Sequence, residues 1–100
     1  MPEASDVIDN PDERRFEVTV DGHLAELVYA RSGDRLVLVH TGVPEALGGR
    51  GVGGVLVQAA LAAAKAEGLT VVPQCPFAKS WIEKHPDAAD GVTVAVTPAE

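Results

Sequence analysis

The chain has 100 residues, 46% of them hydrophobic but only 4% aromatic, and a formal net charge of −7 from 15 acidic and 8 basic residues. That length sets one domain, with a core built mostly from Val, Ala and Leu. The acidic balance excludes a nucleic-acid binder, which needs a basic face to displace phosphate counterions, and it favours cationic partners such as amines. No apolar stretch approaches the roughly 20 residues that span a bilayer. The acidic start, Met1-Pro2-Glu3-Ala4-Ser5-Asp6, lacks the regions of a signal peptide. A single cysteine, Cys75, rules out an internal disulfide framework and suits a reducing compartment, so a cytoplasmic, monomeric protein is expected.

Residues 1–12 carry Pro2, Pro11 and several acids, and are expected as a flexible leader to one domain over 13–97. From Arg15, Phe16, Val18 and Val20 alternate with Glu17, Thr19 and Asp21, the period of a half-buried strand. Asp21-Gly22 signals a tight hairpin into a second strand over 23–30, with Ala25, Leu27 and Tyr29 on one face. After a turn at Ser32-Gly33-Asp34, the nearly continuous apolar run from Arg35 to His40 suits a central strand. Val52, Val55, Leu56, Ala59, Ala60 and Ala63 then fall at helical spacing, with Gly68 as the stop. A short strand over 69–73 completes a right-handed βαβ unit, so the third and fourth expected strands run parallel. A second helix follows, with Phe77, Trp81 and Ile82 as its buried stripe, ending near His85-Pro86. A last short strand is expected over 92–96.

Between the central strand and the first helix lies Gly48-Gly49-Arg50-Gly51-Val52-Gly53-Gly54. Glycines let backbone N–H groups crowd together, and a helix N-terminus adds the positive end of its dipole. The combination suits an anion, most naturally a diphosphate. Gly49-Arg50-Gly51-Val52-Gly53-Gly54 fits the GxGxxG spacing, but a chain of this length argues against a dinucleotide-binding fold, and the GxxxxGK[ST] phosphate loop is absent because no Lys-Ser or Lys-Thr follows the glycines. A plain flexible connector is the competing reading. Arg50 reads as a phosphate partner or an exposed cap residue. Three scattered histidines and one cysteine give no metal-ligand spacing, so no metal site is expected.

Four segments in order carry a resemblance: His40-Thr41-x-Val43-Pro44, the glycine loop, Val71-Val72-Pro73-x-Cys75-Pro76-Phe77 and Ile82-Glu83-x-His85-Pro86. The loop resembles the acyl-CoA signature Q/R-x-x-G-x-G/A of the GNAT N-acetyltransferase superfamily. The whole series, from Phe16 to Val92, is similar to that superfamily's small stand-alone N-acetyltransferase-like proteins. The resemblance implies a minimal GNAT fold of α+β class: a mixed, mostly antiparallel sheet with two helices. It also implies that the third and fourth strands splay apart around pantetheine, which bonds to backbone near His40, Thr41 and Val43. The diphosphate then sits on the N–H groups around Gly49, Arg50, Gly51, Val52 and Gly53. The implied acetyl-CoA set is Thr41, Val43, Gly48, Gly49, Arg50, Gly51, Val52, Gly53, Gly54 and Lys79, where Lys79 reaches the 3′-phosphate or simply solvates its helix. Two positions depart from the pattern. Gly48 replaces the usual Arg or Gln, and Gly42 replaces an acidic residue common between the Thr and Val of the first segment.

Cys75 stands just past the fourth expected strand and just before a helix, whose N-terminus lowers a thiol pKa. The candidate roles are a transient acetyl carrier or an acid toward the leaving CoA thiolate; the alternative is an inert buried thiol. His40 is the candidate base toward an amine, against a histidine that only bonds backbone. His85 is expected to cap its helix, His23 to be solvated, and Tyr29 to lie too far back for an acid. The expected function is acetyl transfer from acetyl-CoA to an amine, on a small molecule or a protein. The alternative is a non-catalytic CoA-binding or acyl-sensing module, and a weaker third is a general phosphate-binding adaptor. Only a tight turn separates the first two expected strands, where full-length GNAT enzymes carry extra helices. The acceptor site is therefore expected to be open or supplied by a partner.

Overall fold

Alternation of apolar and polar residues sets the middle of the sheet. In the computed structural model, which describes residues 3–95, β2 (Arg15–Val20) turns its Phe16 and Val18 inward, and β3 (His23–Ser32) does the same with Ala25, Leu27 and Tyr29. The two strands join through a two-residue turn in which Asp21 and Gly22 both take positive φ, the geometry whose twist matches antiparallel strands. β4 (Arg35–Gly42) pairs antiparallel with β3, and β5 (Thr70–Pro73) pairs parallel with β4. A further strand, β1 (Ile8–Asn10), pairs antiparallel with β2, giving the order β1-β2-β3-β4-β5.

That β1 corrects the expectation of a leader leading directly to the first strand. The segment is short and flanked by Pro11, so it has no local strand pattern. Tertiary contacts hold it: the Tyr29 hydroxyl donates to Asp9 Oδ1, and Val7 packs against the core. The strand expected over 92–96 is a single parallel bridge, Val94 to Val71, and Val96 lies outside the described residues.

α1 (Val52–Glu67) buries Val52, Leu56, Val57, Ala60, Leu61 and Ala64, the i, i+4, i+8 stripe of a helix lying on a sheet. Gly68 ends it in the left-handed conformation. α2 (Pro76–Lys84) buries Ala78 and Ile82, and both helices share one core with the inward side chains of β2, β3 and β4. The opposite face stands outside that core. It presents Arg15 and Glu17 from β2, Glu26 and Val28 from β3, and Val37 from β4, with Leu24 and Val39 each 42% exposed. This is the open face.

One irregularity positions everything that follows. Val28 pairs with His40 and Tyr29 with Leu38, which leaves Val39 as an extra residue in β4. Such a bulge bends a strand and increases its twist. Pairing of β4 with β5 stops at the same place, Leu38 opposite Pro73. The Leu38 carbonyl takes both the Gln74 and Cys75 N–H groups at 3.0 and 2.9 Å, and beyond it the strands part. The last four residues of β4 therefore edge a gap.

Candidate functional site

The gap continues into the glycine loop. A 3-10 turn, Glu45–Leu47, follows Pro44 and anchors Leu47 in the core at 1% exposure. The Gly48 N–H closes onto the Glu45 carbonyl at 3.0 Å and the Arg50 N–H onto Leu47 at 3.3 Å. Those two amides, expected among the ligand donors, are thus committed within the loop. Gly49 and Gly51 hold φ of +81° and +73°, a region costly for other residues, and nothing lies near either Cα face.

Gly51 starts α1 without any side-chain cap, and the first bond of the helix runs from the Val55 N–H to the Gly51 carbonyl at 3.2 Å. The N–H groups of Gly51, Val52, Gly53 and Gly54 precede it, so they are the unpaired donors of the first turn. With the helix dipole behind them they present the positive partial charge that suits an anion. They open onto a groove of about 590 Å³ whose walls include Thr41, Val43, Leu47, Phe77 and Trp81. This volume falls in the usual range for small-molecule sites. Backbone donors at one end and apolar walls along the rest suit an anion with an extended arm.

Phe77 and Trp81 differ from the expected buried stripe. Phe77 is 44% exposed and Trp81 half-buried, because Ala78 and Ile82 form the face that meets the core. Both rings lean on the start of α1. A Cβ on Gly53 would lie 2.7 Å from the Phe77 ring, and one on Gly54 would lie 2.4 Å from Trp81 Nε1. These two glycines bring the helices together at the groove. Trp81 also stacks on His85 at 4.1 Å, and His85 Nδ1 lies 2.9 Å from the Trp81 carbonyl oxygen.

Of the other expected residues, Thr41 and Cys75 converge. Thr41 pairs with the inward-facing Leu27, and its Oγ1 lies 3.3 Å from Cys75 Sγ across the gap. The thiol is buried at 4% exposure. Burial is the largest single influence and pushes its pKa up, but the Thr41 hydroxyl and the amides of Ala78, Phe77 and Thr41 together outweigh it, so the net shift is downward. Cys75 is the N-cap of α2 yet closes no side-chain capping bond, so the Ala78 and Phe77 amides act on it chiefly as the positive end of the helix.

His40 does not join them. The bulge at Val39 sends it to the exposed open face, opposite Val28. Arg50 points away from the groove and bonds Asp21 Oδ2 through Nη1 at 2.7 Å. Lys79 is exposed on α2 and is not part of the groove wall. Gly42 stands between Glu26 and His40 on the open face; Glu26 is a residue that alternation alone marks only as polar. Among the described residues, no group of three His, Cys, Asp or Glu side chains is placed to hold a metal, and no helix is long and apolar enough to cross a membrane.

Comparison with known proteins bears on the fold and the family. The profile of the family described as GCN5-related N-acetyl-transferase matches residues 15–91. The solution structure of a GCN5-like candidate N-acetyltransferase from Staphylococcus aureus is similar, with a TM-score of 0.70 and 29% identity. The alignment covers 94% of this chain and 91% of that one. No curated protein matches the sequence.

Proposed function

This chain belongs to the GCN5-related N-acetyltransferase family, and on that premise we propose that it binds acetyl-CoA in the glycine groove and transfers the acetyl group to an amine arriving from the open face. The observation that carries the proposal is the uncapped first turn of α1, whose free amides face a groove leading to the gap between β4 and β5. The amides of Gly49, Gly51, Val52 and Gly53 take the diphosphate, and Thr41 and Val43 line the path of the pantetheine arm.

Acetyl-CoA supplies a thioester, an acetyl group activated toward nitrogen. His40 takes one proton from the incoming ammonium group, which frees the nitrogen lone pair to form the C–N bond as the C–S bond breaks. Cys75 gives its thiol proton to the departing sulfur and regains one from the second nitrogen proton through solvent. A second reading is favoured by the lowered thiol pKa. There the Cys75 thiolate displaces CoA, carries the acetyl group as a thioester, and yields it to the amine. Either route keeps the thiol reduced, in keeping with a cytoplasmic site of action.

Titration calorimetry with CoA tests the groove, and intact-protein mass spectrometry after incubation with acetyl-CoA tests the chemistry. An acetyl increment on wild type that is absent from Cys75→Ala selects the carrier route. Turnover on an amine panel without that increment selects direct transfer. Tight CoA binding with neither would leave a CoA-binding module, and no binding would end both readings.

A further inference from the structure

We propose that Glu26, together with His40, forms the acceptor subsite on the open face and selects a primary ammonium group. The inference rests on the acetyl-transfer reading above and adds to it a residue from β3. Glu26 pairs with Gly42 across the β3–β4 ladder, and His40 lies two residues back on β4. Gly42 has no side chain, and the space this leaves is walled on two sides. A Cβ there would lie 3.4 Å from Glu26 Oε2 and 3.6 Å from His40 Nε2. The two groups make no ion pair or hydrogen bond with each other among the described residues. A carboxylate oxygen and an imidazole nitrogen therefore border one notch without closing it.

The notch is electrostatically prepared. Glu26 Oε1 accepts a hydrogen bond from Arg15 Nη1 at 3.0 Å, and Arg15 Nε in turn bonds Glu17 Oε2 at 2.6 Å. Arg15 fixes the carboxylate plane and spends much of its own charge on Glu17, leaving Oε2 directed at the notch with no partner among the described residues. An ammonium group offers three donors and one positive charge, which suits that oxygen and the nearby ring nitrogen. An alcohol brings no charge to it.

Position completes the argument. Thr41, between His40 and Gly42, faces the opposite side and meets Cys75 in the gap. The notch and the thiol thus lie on the two sides of one stretch of strand whose other edge has lost its β5 partner. Glu26 holds the ammonium group by charge and His40 accepts its proton, which passes on to solvent. The nitrogen then attacks through the gap, with the bonds made and broken as stated above.

NMR titration of the full-length protein with n-butylammonium, using n-butanol as the uncharged probe, tests this without requiring turnover. The expected result is a set of shifts at the Gly42 amide and the His40 ring with butylammonium and none with butanol. Glu26→Gln should weaken that binding at least about fivefold, the loss of one charge-assisted contact at a half-exposed site. CoA-induced shifts at Gly49 and Gly51 should persist in the variant, showing that it is folded. Equal response to the alcohol, shifts located elsewhere, or unchanged binding in Glu26→Gln would overturn the proposal while leaving the CoA reading intact. Absence of CoA shifts in the wild type would instead overturn the acetyl-transfer reading, and with it the acceptor role of the notch.

Discussion

Thr41 Oγ1 and Cys75 Sγ stand 3.3 Å apart across the gap between β4 and β5, a side-chain hydrogen bond that joins the end of β4 to the start of α2. It links the family's glycine groove to the residue with the strongest claim on its chemistry. The hydroxyl is the largest of the influences that lower the thiol pKa, set against burial, which raises it.

Thr41→Val, which keeps the shape and removes the hydroxyl, is expected to raise the Cys75 pKa. At pH 8 the thiolate fraction, and with it the rate of alkylation by iodoacetamide, should fall roughly threefold to tenfold. A pH profile of that rate in both proteins checks the direction. A rate unchanged at every pH would show that the hydroxyl does not govern the thiol.

Gly54→Ala should cost more than Gly53→Ala. The new methyl at 53 meets the tip of a Phe77 ring that is 44% exposed and free to swing, and helix propensity offsets the contact. The methyl at 54 meets Trp81, whose ring is pinned by its stack on His85. We expect a loss of about 1–3 kcal/mol at 54 and a near-neutral effect at 53, read from urea denaturation. Both changes should weaken CoA, since each pushes a ring toward the groove.

Arg50 is held by Asp21, whose carboxyl the guanidinium keeps below the usual range through a hydrogen bond and its charge. Asp21→Asn removes that charge while tolerating the positive φ at this turn position. Released from its partner, Arg50 should strengthen CoA binding severalfold at low salt, and adding Arg50→Ala to that variant should abolish the gain. Calorimetry at two ionic strengths measures both, and the difference should shrink as salt rises.

Tyr29 ties β1 to the sheet through Asp9, and its pKa is raised, first by burial and then by that carboxylate. Below the ordinary value of 10.0 both folded and unfolded chains hold the phenol proton, so the contact contributes in full. As pH rises past it the unfolded chain ionises first, and stability falls until the folded phenol ionises as well. Urea midpoints between pH 8 and 11 should therefore decline more steeply in wild type than in Tyr29→Phe. At pH 7 the same variant should speed amide exchange in β1 roughly fivefold, the effect of about 1 kcal/mol.

The inward faces of β2 and β3, the extent of α1 and the position of the glycine loop were legible because each rests on local periodicity or on a glycine. What escaped depends on distant contacts. β1 has no strand signal in Val7-Ile8-Asp9, since Tyr29 and the core hold it. Phe77 and Trp81 repeat at helical spacing, which reads as a buried stripe; two glycines on another helix determine what those rings touch. The uniformly apolar run from Leu36 to Val39 conceals the bulge, so no pattern tells which of His40 and Thr41 faces inward. Glu26 looks like any outward charge until Gly42 is seen beside it.

That extra residue, Val39, carries a consequence of its own. Along a strand, adding or removing one residue exchanges inside for outside in everything beyond it. Without Val39, Thr41 would turn to the solvent and His40 and Gly42 would face the groove. A single inserted amino acid thus works as a partition, keeping thiol and hydroxyl on one side of a thin wall of backbone and imidazole and carboxylate on the other. Deleting it would turn Thr41 away from Cys75 and His40 away from Glu26, parting both clusters, because the thiol and the carboxylate stand on other elements.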